Sequence, residues 1–325
     1  MKLGQHLFSW ASPSNRLTVL IFHRVLAARD ELWPEEWVAQ EFELVCRWMA
    51  EWFQVLPLDQ AVERLAQGNL PARAACITFD DGYADNHVIA GPILARHGLC
   101  ASFFVSTGFL NGGRMWNDTI TEAVRRTRCE GLEWRGPHLR GLGVLPTRTG
   151  DDKRSTLRAL IRTIKHLHPS ERVDAIGELL ESAGVGASEL PTGLMMSSEQ
   201  VRALRTSGMQ IGAHTVTHPI LAKLSEGESQ REIAESREFL EGLLGERVHL
   251  FAYPNGRPGD DYGPRDVALV KRQGFLAAVS TAPGAAHSAT DRFQLPRFTP
   301  WDRGRLKFGL RLARQLVASA QPAAV

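Results

Sequence analysis

Hydrophobic positions follow two alternating patterns along this chain. Short uninterrupted apolar runs, such as LTVLIF at 17–22 and ACITF at 75–79, are typical of buried strands. Between them, residues 35–52 place apolar side chains at steps of three and four, which predicts a helix with one buried face. Strand followed by helix, repeated about seven times, predicts a parallel sheet closed or nearly closed into a barrel. The later predicted strands lie at 100–105, 209–213, 248–252, 275–280 and 293–298.

The middle of the chain breaks this rhythm. Helical patterns cover 118–127, 152–168 and 169–182, and no clear buried strand is found among them. This change predicts a helical subdomain or lid inserted into the barrel. We therefore predict four regions: the first half of the barrel at 1–114, the helical insertion at 115–195, the second half of the barrel at 196–300, and a C-terminal amphipathic helix and tail at 301–325.

The C-terminal segment, residues 302–317, has the pattern of an amphipathic helix. Leu306, Leu310, Ala313 and Val317 share one predicted face, and arginine and lysine residues follow the same spacing beside it. One interpretation is a helix that docks on the barrel through this apolar face. The other is a helix that makes a peripheral contact with a membrane surface.

Composition narrows the class of protein. The 325 residues include 43% apolar and 23% charged side chains, which excludes a disordered or collagen-like chain. A formal net charge of +2 disfavours bulk nucleic-acid binding. The four cysteines form no CxxC pair, so we expect reduced thiols. Neither a signal-peptide pattern nor an apolar run long enough for a membrane span is found, which predicts a cytoplasmic location.

Polar residues that can do chemistry follow the predicted strands. In parallel α/β barrels the active site lies where the carboxyl ends of the strands meet, so these residues are expected to share one rim. They are His23 after the first strand, Asp80 and Asp81 after the second, His214 and His218 after 209–213, Tyr253, Pro254 and Asn255 after 248–252, and His287 after 275–280.

Two histidines and one aspartate on this rim could bind a metal. His214 and His218 are four residues apart and can point the same way from one turn, and neutral imidazole is a good zinc ligand. An HxxxH spacing alone also occurs on many solvated helices, and Asp-Asp-Gly alone is a common turn sequence. With one Asp as the third ligand, the other Asp stays free to take a proton from water.

The motifs TFDDG at 78–82 and HTVTH at 214–218 resemble those of the NodB-type polysaccharide deacetylases, carbohydrate esterase family 4. The segments FHRV, FAYP and LPRF resemble those of the subgroup that acts on poly-N-acetylglucosamine and other exopolysaccharides. The resemblance implies a distorted (β/α)7 barrel of parallel strands. It also implies an enzyme, a hydrolase of linear amides that removes N-acetyl groups from a polysaccharide or from a lipid-linked glycan precursor.

The resemblance also assigns roles to residues. It implies that Asp80 is the general base and that Asp81, His214 and His218 bind a divalent metal, with Zn²⁺ expected first and Co²⁺ or Ni²⁺ as alternatives. Asn255, within the substrate and oxyanion segment at 253–255, matches the position whose N–H stabilises the oxyanion.

The chain also departs from the family pattern. Ala252 stands where the family often has an arginine that orients the base, so Asp80 is expected to lack that partner. The family's general-acid motif is not found, and His287 and His23 are the candidates for that role. Arg297 in LPRF could orient a carboxylate at the rim or form a surface salt bridge.

Two alternatives to a glycan deacetylase stay open at this point. The same site could hydrolyse a non-sugar amide, because the motifs that would set substrate specificity are missing. The chain could instead be a carbohydrate-binding protein with weakened catalysis, for which the absent arginine and acid argue. Oligomeric state is not predicted by these patterns.

Overall fold

A curled parallel sheet forms the centre of the computed structural model, which describes residues 15–317. Seven strands among these residues make the sheet, in the order β1-β5-β6-β9-β10-β11, with β4 also pairing with β5. Two further pairs, β2 with β3 and β7 with β8, lie outside it. In chain order the strands are β1 (Leu17–Phe22), β2 (Val25–Leu26), β3 (Trp37–Val38), β4 (Gln54–Val55), β5 (Ala74–Phe79), β6 (Ser102–Val105), β7 (Gly131–Leu132), β8 (Leu145–Pro146), β9 (Gln210–Ala213), β10 (Leu250–Ala252) and β11 (Ala277–Val279).

Helices cover the sheet, as expected for a parallel sheet whose strands are apolar on both faces. All residues of β1 and β5 are buried, and the two strands pair in register from Leu17 with Ala74 to Phe22 with Phe79. The α-helices described are α1 (Ala39–Trp52), α2 (Leu58–Ala66), α3 (Gly91–Arg96), α4 (Trp116–Arg126), α5 (Gly150–Ile164), α6 (Pro169–Ala183), α7 (Ser198–Thr206), α8 (Glu226–Leu244), α9 (Pro264–Arg272) and α10 (Arg305–Val317).

The segment at 293–298, predicted as a last strand, connects the two ends of the sheet without forming a regular strand. Leu295 bridges to Val279 of β11, and Phe298 bridges to Leu20 of β1. The Phe298 N–H donates to the carbonyl of Val19 at 2.7 Å. The predicted barrel of parallel strands is confirmed, with this irregular segment lying between β11 and β1.

Two compact units divide the described chain. The barrel unit contains the sheet, and the second unit comprises 29–36 and 112–195. The second unit packs α4, α5 and α6 around a core that includes Ile120, Leu160 and Leu179. It also contains the antiparallel pair β7–β8, whose residues are mostly not buried, in the region where the sequence shows no clear buried strand. Each of these strands is two residues long, too short to produce a recognisable alternating pattern.

Helix α10 docks on the barrel unit mainly through residues outside the predicted apolar face, although Ala313 of that face is partly buried against the core. Its buried side chains are Phe308, Leu312 and Leu316, and the Phe308 ring lies 5.4 Å from Trp48 and 6.1 Å from Trp52, centroid to centroid. These two tryptophans belong to α1, so α10 packs against α1.

Leu306 and Leu310, from the predicted apolar face, are 68% and 46% exposed. The sequence of α10 contains two apolar stripes, and the pattern alone did not show which one packs. Within the described residues, no helix combines the length and apolar character needed to cross a bilayer.

Candidate active site

Asp81, His214 and His218 converge at the carboxyl ends of β5 and β9. The Nε2 atoms of both histidines lie 3.4 Å from Asp81 Oδ1, and one ligand atom from each of the three residues fits within a 4.8 Å group. His214 and Asp81 are buried, and the His218 side chain is 11% exposed. The structure therefore brings together the three residues that the sequence suggested as metal ligands.

The backbone at these ligands is in an unusual conformation. Asp81 has a φ of 77° and His218 a φ of 53°, both in the left-handed region that non-glycine residues rarely adopt. Such a conformation costs of order 1–3 kcal/mol per residue and persists only where the surroundings enforce it. Asp81 and His218 both have this unfavourable conformation, and their side chains meet at the same place. We infer that the surrounding structure enforces the conformation so that the two side chains converge.

A backbone carbonyl orients the first histidine. His214 Nδ1 lies 2.7 Å from the carbonyl oxygen of Ala252. A proton on Nδ1 would satisfy that oxygen and leave Nε2 as the nitrogen that faces Asp81, a common arrangement around metal-binding histidines. Burial would lower the pKa of His214, but the charges of Asp80 and Asp81 outweigh burial and raise it.

Burial and neighbouring charges also shift the pKa values of His218 and Asp81. Burial lowers the pKa of His218 to about 3, so its imidazole is neutral at physiological pH. Burial would raise the pKa of Asp81, but the interactions with His214 and His218 outweigh burial and lower it. A neutral imidazole and an ionised carboxylate are the forms in which these side chains bind a metal.

The donor set fits a divalent cation. Asp81 Oδ1 is buried and accepts no hydrogen bond from any residue between 15 and 317, although it faces two imidazole nitrogens. A buried carboxylate oxygen without a donor is unfavourable, and a cation at this point would satisfy it. One oxygen and two nitrogens, with room left in the coordination sphere, is typical of a catalytic zinc site.

Asp80 has an arginine partner, so the expectation drawn from Ala252 is wrong. Arg297 Nη1 donates to Asp80 Oδ1 and Arg297 Nη2 to Oδ2, both at 2.7 Å. Arg297 is 1% exposed, which also rules out a surface salt bridge. Its remaining donors reach the Ser280 carbonyl at 2.8 Å and Thr78 Oγ1 at 3.2 Å. The hydrogen bonds to Ser280 and Thr78 therefore fix the position of the guanidinium while it binds both oxygens of the Asp80 carboxylate.

This ion pair sets the protonation state of Asp80. Burial would raise the pKa of this carboxyl, but the charges of Arg297 and His214 outweigh burial and lower it. Asp80 is therefore an ionised carboxylate at neutral pH, and its Oδ2 lies 4.0 Å from His214 Nε2. A charged carboxylate beside the metal-binding set, but outside it, is suited to accept a proton.

His23 lies on the same rim, in the short connection between β1 and β2, which is held by two residues that the sequence patterns did not indicate. Asn86 Nδ2 donates to the His23 carbonyl at 2.8 Å, and Asp85 Oδ1 accepts from the Val25 N–H at 3.0 Å. Asp85 Oδ2 also accepts from Arg24 Nε at 2.9 Å. Asp85 and Asn86 are two adjacent polar residues three and four positions after the DDG motif, and this closeness was a signal that could have drawn attention to them. The His23 side chain is exposed and close enough to Asp80 and Asp81 to act on them electrostatically.

His287 lies at the other end of β1, so the structure does not support it as the general acid. Its neighbour Ala286 exchanges two hydrogen bonds of 2.9 Å with Leu17, the first residue of β1, whereas His23 follows the last. The length of β1 separates the two ends by roughly 16 Å. The loop after β11 runs back toward the amino ends of the strands, which a sequence pattern does not show.

In the segment at 253–255, Tyr253 and Pro254 are buried in the core, whereas Asn255 is half-buried. Tyr253 is buried, stacks on Tyr262 with ring centroids 3.8 Å apart, and donates its hydroxyl to the Phe293 carbonyl at 3.0 Å. Tyr253 and the buried Pro254 therefore support the turn rather than face a substrate. Asn255 is half-buried with a φ of 58°, and its N–H donates to no described residue. That N–H is available to an acceptor from outside the protein.

Comparison with known proteins agrees with this site. Residues 166–275 match the polysaccharide deacetylase family, a range that includes His214 and His218. YxkH of Bacillus subtilis (strain 168), named as belonging to the polysaccharide deacetylases, is 21% identical over 284 residues, which cover 87% of this chain and 70% of that protein. The predicted resemblance is therefore confirmed, and the chain is a relative of the polysaccharide deacetylases. The predicted enzyme class, a deacetylase-type hydrolase, is confirmed as well.

Solved structures share the fold. Streptococcus pyogenes deacetylase PplD, in complex with acetate, is similar with a TM-score of 0.60 and 18% identity, covering 93% of this chain and 98% of that one. IcaB from Ammonifex degensii is similar with a TM-score of 0.55 and 19% identity, covering 93% of this chain and 97% of that one. At these identities the likeness concerns the arrangement of strands and helices.

Proposed function

We propose that this protein hydrolyses the N-acetyl groups of an amino-sugar glycan, either a polysaccharide or a lipid-linked precursor, with Asp80 as the base. The observation that carries the proposal is the buried Asp80–Arg297 ion pair directly beside the convergent donors of Asp81, His214 and His218. A structural ion pair alone would not explain why three metal-ligating groups meet next to it.

The three donors would hold a divalent metal, with zinc the first choice and cobalt or nickel as alternatives. Bound there, the cation would act as a Lewis acid on the acetamide carbonyl. Asp80 would accept a proton from the attacking water, because Arg297 keeps its carboxylate ionised and fixed. The N–H of Asn255 would donate to the carbonyl oxygen as negative charge develops on it.

His23 is the proposed proton donor to the departing amine. It follows β1 on the same rim as Asp80 and Asp81, its side chain is exposed, and its backbone is tied down by Asn86. A side chain on a fixed turn at the mouth of the site can reach a leaving group without binding the metal.

A carbohydrate-binding protein with weakened catalysis had two grounds, the absent arginine and the absent general acid, and the first of these no longer holds. Arg297 supplies the arginine partner of Asp80 from another part of the chain. A non-sugar amide as substrate is a possible outcome of the experiment below rather than a separate proposal.

Purified protein loaded with zinc is expected to release acetate from N-acetylglucosamine oligomers, and removal of the metal with a chelator is expected to abolish this release. Added zinc, cobalt or nickel should restore it, because the ligand set of two imidazoles and a carboxylate accepts all three ions. Acetate is measured by a coupled assay, with an N-acetylated peptide as the non-sugar control. Release from the peptide alone would contradict the glycan proposal, and chelator-resistant release would contradict the metal's role.

We further propose that α10 contacts an anionic membrane surface, which would suit a lipid-linked substrate. The helix contains no acidic residue, and its exposed Leu306 and Leu310 lie beside Lys307 and Arg314. Exposed leucines flanked by basic residues are typical of helices that lie on a bilayer. The cytoplasmic location stays a prediction, which cell fractionation would test.

The double variant Leu306→Ser and Leu310→Ser is expected to bind phosphatidylglycerol vesicles roughly tenfold more weakly than the wild type, because two apolar side chains no longer enter the lipid. Co-sedimentation measures this binding. Val173→Ser, at a residue 70% exposed in the second unit, is the matched control and should bind like the wild type. Equal binding by the double variant would rule out this contact.

A further inference from the structure

The turn between His214 and His218 forms hydrogen bonds with a single carboxylate, that of Glu232. The N–H groups of Val216 and Thr217 both donate to Glu232 Oε2, each at 2.8 Å. The Thr217 hydroxyl donates to the other oxygen, Glu232 Oε1, at 2.6 Å. Both oxygens of Glu232 are therefore engaged by the two residues in the middle of HTVTH.

This turn needs such support because of its backbone conformation. Thr215 has a φ of 64° and His218 a φ of 53°, so left-handed residues lie on both sides of the Val216–Thr217 pair. Neither is a glycine, and the conformation is therefore unfavourable unless other contacts compensate for it. Hydrogen bonds from backbone N–H groups to an ionised carboxylate are among the stronger ones available. A second, smaller support is the hydrogen bond from the His218 N–H to Thr215 Oγ1 at 3.1 Å.

Glu232 is presented by a helix that is itself well anchored. Helix α8 begins with a capping box between Ser225 and Glu228, and it buries Ile233, next to Glu232, in the core of the barrel unit. The Ser229 hydroxyl, one turn earlier on α8, donates to the Leu221 carbonyl at 3.3 Å, in the segment that follows HTVTH. The carboxylate is thus held at a fixed position relative to the turn.

Within residues 15–317, the partners of the Glu232 carboxylate are the N–H groups of Val216 and Thr217 and the Thr217 hydroxyl, and none of them is a basic side chain. A surface salt bridge therefore does not explain this glutamate. Its charge is directed at two backbone N–H groups, which lie between the residues that must aim their imidazoles at one point.

We propose that Glu232 is a positioning residue of the metal centre: its carboxylate holds the Val216–Thr217 turn so that His214 and His218 present their Nε2 atoms to the same cation. The inference rests on the proposed function, since it requires that Asp81, His214 and His218 bind a metal. It assigns Glu232 no contact with the metal or the substrate.

Metal binding measured apart from activity tests this inference. Zinc and cobalt are titrated by calorimetry into the metal-free full chain of the wild type, Glu232→Gln and Glu232→Ala. Loss of outer-shell support typically weakens metal affinity 10–100-fold, so we expect about that loss for Glu232→Ala. Glu232→Gln keeps an amide oxygen that can accept one of the N–H bonds, and it should fall between alanine and wild type. If Glu232→Ala does not fold, the metal affinity of Glu232→Gln still tests the inference.

Two further measurements separate positioning from a general structural role. The absorption spectrum of the cobalt-loaded protein reports ligand geometry, and we expect it to change in Glu232→Gln. Glu235→Ala, at an exposed glutamate on the same helix, is the control and should keep both the affinity and the spectrum.

The outcomes are distinguishable. Wild-type affinity and spectrum in Glu232→Gln and Glu232→Ala, even with a lowered melting temperature, would overturn the inference and leave the proposed function standing. A wild-type protein that binds no zinc, cobalt or nickel would overturn both.

Discussion

Asp80→Asn is expected to lower kcat for acetate release by about 10²–10⁴-fold, the usual contribution of a positioned general base. The amide has nearly the same shape as the carboxylate but cannot accept the proton from the attacking water. Metal affinity should change little, because Asp81, His214 and His218 are untouched. Steady-state kinetics on N-acetylglucosamine oligomers and calorimetry with zinc measure the two effects separately.

Asp81→Asn is the matched control for this variant. It removes the carboxylate whose Oδ1 lies 3.4 Å from both imidazoles, so both metal affinity and activity should fall. The two variants would then show different roles for the neighbouring aspartates: proton transfer for Asp80 and metal binding for Asp81. Near-wild-type kcat in Asp80→Asn would show that another group is the base.

Arg297→Met is expected to destabilise the protein by about 3–5 kcal/mol at neutral pH, because it leaves the buried Asp80 carboxylate without its partner. The free energy of unfolding in urea measures this loss.

Arg297→Met should also raise the pKa of Asp80, because burial would then act without the guanidinium that outweighs it. Any remaining activity should therefore decline at a higher pH than in the wild type as the solution is acidified.

The pH dependence of stability follows from the same ion pair. A carboxyl whose pKa is lowered on folding stabilises the protein above its unfolded-state pKa, and this contribution is lost as the pH falls through the lower folded-state value. The difference in stability between wild type and Arg297→Met should therefore be largest near neutral pH and shrink in acid.

Arg292→Met is the control for the arginine variant, since this side chain is exposed and its guanidinium carbon lies 5.2 Å from the ring centroid of Phe293. Its stability should stay within about 0.5 kcal/mol of wild type, as for most surface substitutions. Arg297→Lys should lie between Met and wild type, because it keeps the charge but only one of the two parallel hydrogen bonds. Unchanged stability in Arg297→Met would show that the ion pair contributes little.

Local sequence patterns were enough to determine six of the seven strands of the sheet, all but the two-residue β4, and the reactive residues that follow them. β1 and β5 are buried throughout, and a strand covered on both faces must be apolar at nearly every position. Asp80 and Asp81 directly follow β5, and His214 directly follows β9. Their location on one rim follows from the parallel order of the strands, so the sequence could predict it.

Only the tertiary structure decided which distant residues complete the site. Arg297 reaches Asp80 across 217 positions of the chain, and it does so because the irregular segment between β11 and β1 carries it inward. His287 is carried away by the same part of the chain, back toward the start of β1. Both residues follow late strands, and periodicity does not describe the path of an irregular loop.

The same distinction applies to α10 and to the turn at HTVTH. The sequence determined that α10 is a basic helix with apolar stripes, but packing against Trp48 and Trp52 decided which stripe is buried. It also determined that two histidines lie four residues apart, whereas the support from Glu232 depends on where α8 lies in the fold. Hydrophobic periodicity follows from the geometry of one element. The partner of a charge or of an apolar face depends on which elements meet, and only the folded chain sets that.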